Sequence, residues 1–327
     1  MERLDRLYAI GEGDGANRIG YSPEEDAAHD LARMWLEEAG LEVRVDDAGN
    51  LFGGTDPIWT GSHLDTVPEG GKFDGALGVV AAIEAVDRAG RGSVVVFRDE
   101  ERGCAGSRAL VARGELPEAF VELHIEQGPR LANADAPLGI VTGIVGVSRG
   151  TLVVEGQAGH AGTVPMDARD DALVKAAERM LAMRDLARSI DGAVVTVGEL
   201  EVEPGAVNVI PARVTMSVDA RAPTGESCVR LVDELGFEPT YRTMPAAMDE
   251  RVRAVLREEI ELRGLPVVEL TSGAGHDAAI LAAAGVPSAM LFVRSLNGGV
   301  SHSPDELSSQ EDIEVAIDVL AAALARL

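Results

Sequence analysis

The sequence predicts an α/β protein: a mostly parallel sheet covered by helices, interrupted by a smaller inserted α+β domain. Apolar, strand-like runs alternate with helix-like stretches near both ends of the chain, and strands separated by helices form parallel sheets with helices on both faces. In the middle of the chain this order of elements changes. A length of 327 residues also exceeds what one hydrophobic core usually organises, which favours two domains.

The outer segments supply the alternating pattern. Short β-branched or apolar runs predict strands, and apolar residues at helical spacing predict helices. The strands are expected at 58–62, 93–98, 121–125 and 288–293, and the helices at 75–89, 105–113 and 310–327. We assign residues 1–146 and 248–327 to one domain that contains this sheet.

The middle segment has a different succession of elements. Strands are expected at 147–155, 193–201, 208–219 and 238–243, with helices at 168–187 and 226–235. Pro204 and Gly205 separate the second strand from the third. This βαββαβ order is that of the ferredoxin-like unit. Residues 147–247 are therefore predicted to form the inserted domain.

Composition excludes several classes of function. Lys and Arg number 29 against 55 Asp and Glu, and the net charge of −26 argues against nucleic acids and anionic membranes as partners. No apolar run reaches the ~18–20 residues of a membrane span, and the acidic start of the chain lacks the apolar core of a signal peptide. Two cysteines are too few for a disulfide framework. These features predict a cytoplasmic protein.

Two further residues are expected to have structural roles. Cys104 stands at the start of a predicted helix, where a small buried side chain is expected rather than a reactive thiol. His29 lies in the amphipathic stretch 24–39 and is expected on the exposed face of that helix.

Five residues able to bind a metal ion lie in or shortly after the strand-like runs. They are His63, Asp74, Glu101, His124 and His302. In open parallel sheets, reactive groups collect outside the carboxyl ends of the strands, and three of the six histidines of the chain belong to this set. Each pattern by itself is more often exposed surface. Together they predict a two-metal hydrolase.

The types of ligand indicate the chemistry. A carboxylate such as Asp74 can bridge two cations about 3.5–4 Å apart, and a mixed shell of nitrogen and oxygen suits zinc, manganese, cobalt or nickel rather than calcium. Asp65, two residues after His63, is placed to accept the second imidazole proton. Glu100, next to the ligand Glu101, is free to act as general base on the attacking water.

These residues occur in motifs that resemble a known family from roughly Tyr21 to the end of the chain. The chain is similar to the M20-type dinuclear metallohydrolases in His63-Leu64-Asp65, Asp74-Gly75, Glu100-Glu101 and the terminal His302. Within that family it resembles the branch of N-carbamoyl-L-amino-acid hydrolases and allantoate amidohydrolases. That branch is marked by His124-Ile125-Glu126-Gln127-Gly128-Pro129 and Ser272-Gly273-Ala274-Gly275-His276-Asp277-Ala278.

The resemblance implies two divalent metal ions per subunit, zinc or manganese, with cobalt or nickel as alternatives. One ion would be bound by His63, Asp74 and His124. The other would be bound by Asp74, Glu101 and His302.

The resemblance also implies that the inserted domain is the lid and dimerisation domain of a homodimer. His160 matches the lid histidine that reaches the active site of the opposite subunit and stabilises the oxyanion. Asn208 and Arg221 match the family's substrate-binding residues, and a guanidinium suits a bidentate contact with a substrate carboxylate. Gln127 and His276 are assigned to the substrate pocket, and a structural role for His276 fits the sequence equally well.

The implied activity is cleavage of the C–N bond of a ureido (N-carbamoyl) or related linear amide. The substrate would be a small molecule with a carboxylate, such as an N-carbamoyl-L-amino acid or allantoate. The alternative is an M20-type aminoacylase or dipeptidase, because the metal motifs are shared, and a binding protein without catalytic activity is a third possibility. The chain departs from the branch at 101–107, where it has the compact loop of the wider peptidase family.

Overall fold

A computed structural model of the chain describes residues 1–11 and 13–327. The chain divides into two compact units. The larger unit consists of Met1–Ile144 and Ala246–Leu327, and the smaller unit is Val145–Pro245. The inserted unit thus begins and ends two residues before the expected limits of 147 and 247.

The elements are numbered here in chain order. The strands are β1 (Val43–Val45), β2 (Leu51–Gly53), β3 (Ile58–His63), β4 (Ser93–Phe97), β5 (Ala119–Ile125), β6 (Leu138–Ile144), β7 (Gly146–Glu155), β8 (Gly159–His160), β9 (Val194–Thr196), β10 (Leu200–Glu203), β11 (Val209–Ile210), β12 (Arg213–Ala222), β13 (Glu238–Thr243), β14 (Ala246–Ala247), β15 (Glu269–Ser272) and β16 (Ser288–Val293). The helices are α1 (Glu2–Tyr8), α2 (Pro23–Glu38), α3 (Ala76–Ala89), α4 (Ala105–Arg113), α5 (Arg130–Asn133), α6 (Ala172–Arg188), α7 (Gly225–Leu235), α8 (Glu250–Leu262), α9 (Asp277–Ala283) and α10 (Gln310–Leu324). Within the described ranges, no helix has both the length and the apolar character needed to cross a membrane.

The larger unit is built on a nine-stranded sheet in the order β1-β2-β4-β3-β5-β16-β6-β14, with β15 also paired to β6. The four strands at its centre, β4, β3, β5 and β16, are parallel to one another. Toward both edges most pairings are antiparallel. The expectation of a mostly parallel sheet therefore applies to the centre, and the sheet as a whole is mixed.

Helices cover both faces of this sheet. Along β4 the side chains alternate between two hydrophobic clusters, with Val94 and Val96 in one and Val95 and Phe97 in the other. The first cluster contains apolar residues of α1, α2, α3, α8 and α10, and the second contains residues of α4, α5 and α9. A strand that is buried on both faces needs apolar residues at successive positions. That requirement explains the continuous apolar run of β4 in the sequence.

Glycine allows the helix α3 to begin directly beside His63. Gly75 has φ 62°, a left-handed conformation that favours glycine. A Cβ at Gly75 would lie 2.4 Å from Cε1 of the His63 ring. One turn later, a Cβ at Gly78 would lie 2.3 Å from the carbonyl oxygen of Leu123. The helix can therefore pack tightly against the ends of β3 and β5.

The smaller unit contains an antiparallel five-stranded sheet in the order β10-β12-β7-β13, with β9 also paired to β12. Helices α6 and α7 contribute Ala172, Ala176, Cys228 and Leu231 to its hydrophobic cluster. A separate two-stranded sheet is formed by β8 and β11.

The predicted limits of two strands and one helix in this unit were wrong. Residues 208–219 form two strands in different sheets, interrupted at Pro211, which lacks the backbone N–H of a sheet ladder. Residues 193–201 also divide into β9 and β10. The long helix begins at Ala172 rather than at 168, because the Asp171 side chain caps it by accepting from the N–H groups of Leu173 and Val174.

The prediction for His29 was wrong, and that for Cys104 is confirmed. His29 lies on α2 but is only 7% exposed, with its Nε2 3.8 Å from Oε1 of Glu25. Burial lowers the pKa of His29 to about 3, so the imidazole is neutral. Cys104 is buried and forms the N-cap of α4.

Candidate metal centre

The central parallel strands bring the predicted ligands to one edge of the sheet. His63 is the last residue of β3, and His124 is the next-to-last residue of β5. Glu101 follows the end of β4 by a few residues, and Asp74 lies just before α3. Because β4, β3 and β5 are neighbouring parallel strands, their carboxyl ends meet at the same edge.

One group of possible ligands consists of His63, Asp74 and His124, all of which are buried. Oδ1 of Asp74 lies 3.1 Å from Nε2 of His124 and 3.9 Å from Nε2 of His63. The two imidazole rings are stacked, with their centroids 5.8 Å apart. Two nitrogens and one carboxylate oxygen therefore face a common point.

A second group consists of Asp74, Glu101 and His302. Nε2 of His302 lies 3.3 Å from Oδ2 of Asp74 and 3.5 Å from Oε2 of Glu101. The two oxygens of Asp74 thus face different groups. That is the arrangement of a carboxylate that bridges two cations.

The hydrogen bonds of the imidazoles fit metal binding. Nδ1 of His124 lies 3.0 Å from the carbonyl oxygen of Ile125, so a neutral His124 donates from Nδ1 and presents the lone pair of Nε2. That Nε2 is buried and, among the described residues, has only the carboxylate of Asp74 close to it, with Oδ1 at 3.1 Å and without the geometry of a regular hydrogen bond. In His63, Nδ1 lies 3.2 Å from Asp65 Oδ1, which leaves its Nε2 for a cation. Buried lone pairs that converge in this way fit a divalent metal ion.

Asp65 holds the turn that carries both glutamates. Its Oδ1 accepts from the backbone N–H of Glu100 and its Oδ2 from that of Glu101, both at 3.0 Å. The same carboxylate faces Nδ1 of His63. Asp65 therefore fixes the orientation of one imidazole and the position of two acidic residues.

Glu100 lies beside the ligands without belonging to either group. Its Oε2 is 3.8 Å from Nε2 of His63, and its Oε1 accepts a hydrogen bond from Sγ of Cys104 at 3.6 Å. Burial raises the pKa of Glu100 well above its ordinary value. A carboxylate in this environment has a strong affinity for a proton, as a general base requires.

The environment of Asp74 raises the pKa of two further predicted ligands. The hydrogen bond with Asp74 raises the pKa of His302 to about 9. Burial raises the pKa of Glu101 to about 7, and the charge of Asp74 adds to that effect. Each shift reduces the net negative charge around Asp74.

The two residues assigned to the substrate pocket both lie next to the ligands. Nε2 of Gln127 donates to Oδ2 of Asp74 at 2.8 Å and to Oγ of Ser301 at 3.1 Å. His276 is buried, contacts the His124 ring edge-on at 4.6 Å, and has its Nε2 2.9 Å from Oγ of Ser272. Both roles proposed for His276 are compatible with this position.

The residues predicted in the inserted unit lie in different places: His160 and Arg221 are on strands of two sheets, and Asn208 is in the turn before β11. His160 on β8 is opposite Val209 on β11, and the backbone N–H of Ala161 donates to the carbonyl oxygen of Asn208 at 3.0 Å. Both His160 and Asn208 are exposed. Arg221 lies on β12, where its Nε donates to Oδ1 of Asp219 at 2.8 Å.

The sequence analysis gave no role to three buried carboxyl groups close to the predicted ligands, although it quoted Asp277 in a motif. They are Glu122, Asp277 and Glu306. Glu122 belongs to a third group of possible ligands with His124 and His276. Its two oxygens already accept from Ser62 Oγ at 2.8 Å and from the N–H of Ala278 at 3.0 Å, so it is a poorer metal ligand. One signal was present in the sequence, because Glu122 interrupts the apolar strand two residues before His124.

Histidines and carboxylates gathered around a shared aspartate are typical of metal-dependent hydrolases. Residues 59–326 match the model of peptidase family M20/M25/M40. The chain belongs to this family.

Relatives that align with nearly the whole chain identify its branch of the family. The chain is 36% identical to the N-carbamoyl-L-amino acid amidohydrolase of Geobacillus stearothermophilus, with 98% of this chain and 96% of the relative covered. It is 34% identical to the allantoate amidohydrolase of Bacillus subtilis (strain 168), with 100% and 96% covered. Among solved structures, an amidase of the hydantoinase/carbamoylase family from Burkholderia multivorans matches with a TM-score of 0.85 and 29% identity, covering 99% of this chain and 96% of that one. The resemblance to this branch is thereby confirmed.

The burial of Asp277 is expected to make the free energy of unfolding depend on pH. Its Oδ1 accepts from Oγ of Ser107 at 2.6 Å, while its buried Oδ2 has no hydrogen-bond partner within the described part of the chain. Burial raises the pKa of Asp277 from 3.8 to about 8. The folded state therefore keeps a proton that the unfolded chain releases. The resulting stabilisation of the folded state is fully present below pH 3.8, and it is lost as the pH rises to about 8.

The substitution Asp277→Asn keeps a neutral acceptor for Ser107 and removes this titration. From about pH 5 to about pH 8, we expect the free energy of unfolding of the wild type to fall relative to that of the variant. Denaturant unfolding of both proteins after treatment with a chelator measures the difference. Curves of stability against pH that stay parallel would contradict the prediction.

Proposed function

We propose that the protein is a metal-dependent amidohydrolase that cleaves the C–N bond of a ureido or related linear amide substrate carrying a carboxylate. An N-carbamoyl-L-amino acid or allantoate would fit this description. The proposal depends on the two ligand groups that share Asp74. Its choice of reaction is supported by the N-carbamoyl-L-amino acid and allantoate amidohydrolases to which the chain is similar along almost its full length. These relatives favour the proposal over an aminoacylase or dipeptidase.

Two divalent metal ions per subunit would be held at the two groups. His63, Asp74 and His124 would bind one, and Asp74, Glu101 and His302 the other. Ligands of nitrogen and oxygen suit zinc or manganese, with cobalt or nickel as alternatives. Such ions supply Lewis acidity that polarises the substrate carbonyl and lowers the pKa of the attacking water.

Glu100 carries the proton in this mechanism. Its carboxylate accepts a proton from the attacking water as the new C–O bond forms at the carbonyl carbon. It then returns that proton to the leaving nitrogen as the C–N bond breaks. Two features support this role: Glu100 belongs to neither ligand group, and its backbone N–H is held by Asp65 at 3.0 Å.

The inserted unit would act as a lid and as the dimer interface of a homodimer. Nδ1 of His160 accepts from the N–H of Gly162 at 3.1 Å, so a neutral His160 carries its proton on Nε2. That N–H could donate to the oxyanion of the partner subunit's substrate. Arg221 and Asn208 would bind the substrate carboxylate, and Asp219 already orients the guanidinium of Arg221.

A panel of substrates tests the reaction. N-carbamoyl-L-amino acids, allantoate, N-acetyl amino acids and dipeptides should be assayed with added zinc, manganese or cobalt. We expect turnover of a ureido substrate, because relatives of that activity align along the whole chain. Turnover confined to N-acetyl amino acids or dipeptides would establish the alternative. No turnover with two metal ions bound would indicate a binding protein.

The substitution Glu100→Gln tests the assignment of the base. The amide cannot accept the proton, so kcat should fall by at least about 10²–10⁴-fold. Metal content by elemental analysis should stay unchanged, since Glu100 lies outside both ligand groups. Glu118→Gln, the same change at an exposed position, is the matched control. Activity retained in Glu100→Gln would overturn the assignment.

Mixed subunits test whether His160 acts across the dimer. His160→Ala and Glu100→Gln should each be inactive alone. If the lid histidine serves the opposite subunit, random exchange of the two variants restores one intact site in each mixed dimer, or about a quarter of the wild-type activity. Gel filtration checks the dimer. An active monomer, or exchanged subunits without activity, would remove His160 from the neighbouring site.

A further inference from the structure

Glu306 is a buried carboxylate that binds the backbone of two predicted metal ligands at once. Its Oε2 accepts from the N–H groups of Phe73 and Asp74, at 3.0 and 3.2 Å. Its Oε1 accepts from Oγ of Ser301 at 2.9 Å and from the N–H of His302 at 3.1 Å. These four donors use the full acceptor capacity of one carboxylate. Only 6% of Glu306 is exposed.

The two segments that Glu306 joins are far apart in the chain. Asp74 precedes α3, whereas His302 lies between β16 and α10. His302 also has φ 54°, a left-handed backbone conformation that is uncommon outside glycine. A turn of this kind persists where surrounding contacts hold it. The hydrogen bond from the His302 N–H to Glu306 is such a contact.

The neighbouring residues leave room for Glu306 and extend its contacts. A Cβ at Gly71 would lie 1.9 Å from Cδ of Glu306, so the carboxylate packs directly against that glycine. Ser301 bonds to Glu306 and lies 3.4 Å from Oδ2 of Asp74. Gln127 donates to both Ser301 and Asp74. Glu306 therefore acts on Asp74 through its backbone and through the side chain of Ser301.

We propose that Glu306 is a positioning residue that sets the distance between Asp74 and His302 and thereby the affinity of the Asp74–Glu101–His302 group for a divalent cation. This inference rests on the proposed function. The donors to Glu306 are three backbone N–H groups and the hydroxyl of Ser301, so it would position the ligands without binding the cation itself. Partners of this kind typically change metal affinity by about 10–100-fold when they are replaced.

Glu306 and Asp65 each hold the backbone of two different residues of the site. Asp65 accepts from the N–H groups of Glu100 and Glu101, and Glu306 accepts from those of Asp74 and His302. The second ligand group therefore has all three of its residues fixed by two buried carboxylates. Loss of Glu306 should loosen that group more than the group formed by His63, Asp74 and His124, whose histidines are held by β3 and β5.

The substitution Glu306→Gln tests the proposal because it keeps the shape and removes one acceptor. An amide has one oxygen, so its amino group would face the donors of either Asp74 or His302. We expect one of two bound cobalt or zinc ions to bind about 10–100-fold more weakly, measured by competition with a chromophoric chelator. The cobalt absorption spectrum should change for that ion alone. Activity should recover as the metal concentration is raised, which a purely structural defect would not allow.

Two further variants complete the experiment. Asp305→Asn makes the same charge change at the exposed neighbouring position and should leave both affinities as in the wild type. Gly71→Ala displaces Glu306 without removing its charge and should reproduce the selective loss. It keeps the proposal testable if Glu306→Gln does not fold. Wild-type affinity at both sites in a folded Glu306→Gln or Gly71→Ala protein would overturn the proposal.

The same measurements separate this proposal from the proposed function. A wild type that binds two cations and hydrolyses no member of the substrate panel would end the functional proposal, and the affinities of the variants would still decide the role of Glu306. An active wild type with unchanged affinities in the variants would overturn the role of Glu306 alone.

Discussion

The site contains buried carboxylates, and their negative charge must be balanced by cations or protons. Asp74 is buried with both of its oxygens facing imidazole nitrogens, and further carboxylates lie close by. An isolated buried charge is strongly unfavourable, so such a cluster requires cations or protons. Burial raises the pKa of Glu101, and the hydrogen bond with Asp74 raises the pKa of His302, so both groups hold a proton more readily than usual. Divalent cations would balance the same negative charge and would also accept the lone pair of His124 Nε2.

The backbone of the site is held by the sheet on one side and by hydrogen bonds on the other. His63 is paired with Phe97 of β4 and His124 with Phe292 of β16, so each histidine is held in a parallel ladder. The other predicted ligands, Asp74, Glu101 and His302, lie in turns outside the strands. There, Asp65 and Glu306 each accept from backbone N–H groups of two acidic or histidine residues. Buried polar groups that are fully satisfied in this way make irregular backbone rigid.

The differences between expectation and structure have physical causes. His29 has the sequence context of an exposed helix residue, yet it is buried beside Glu25. The reason is that α2 packs against β2 and α3, which are distant in the chain. The stretch at 208–219 has strand propensity throughout, but the break at Pro211 sends its halves to different sheets. Edge strands such as β1 and β14 are only two or three residues long, too short to give a periodic signal.

The sequence by itself determined the family, the alternation of elements at the centre of the larger sheet, and the residue types and positions from which the ligands are predicted. These properties are local, since they depend on residue chemistry and on periodicity. Only the tertiary structure decided which oxygen of Asp74 faces which histidine, that Glu122 and Asp277 are buried, and that Glu306 joins two distant turns. Hydrogen bonds between residues 232 or more positions apart leave no local pattern, because chain separation carries no information about which polar groups meet after folding.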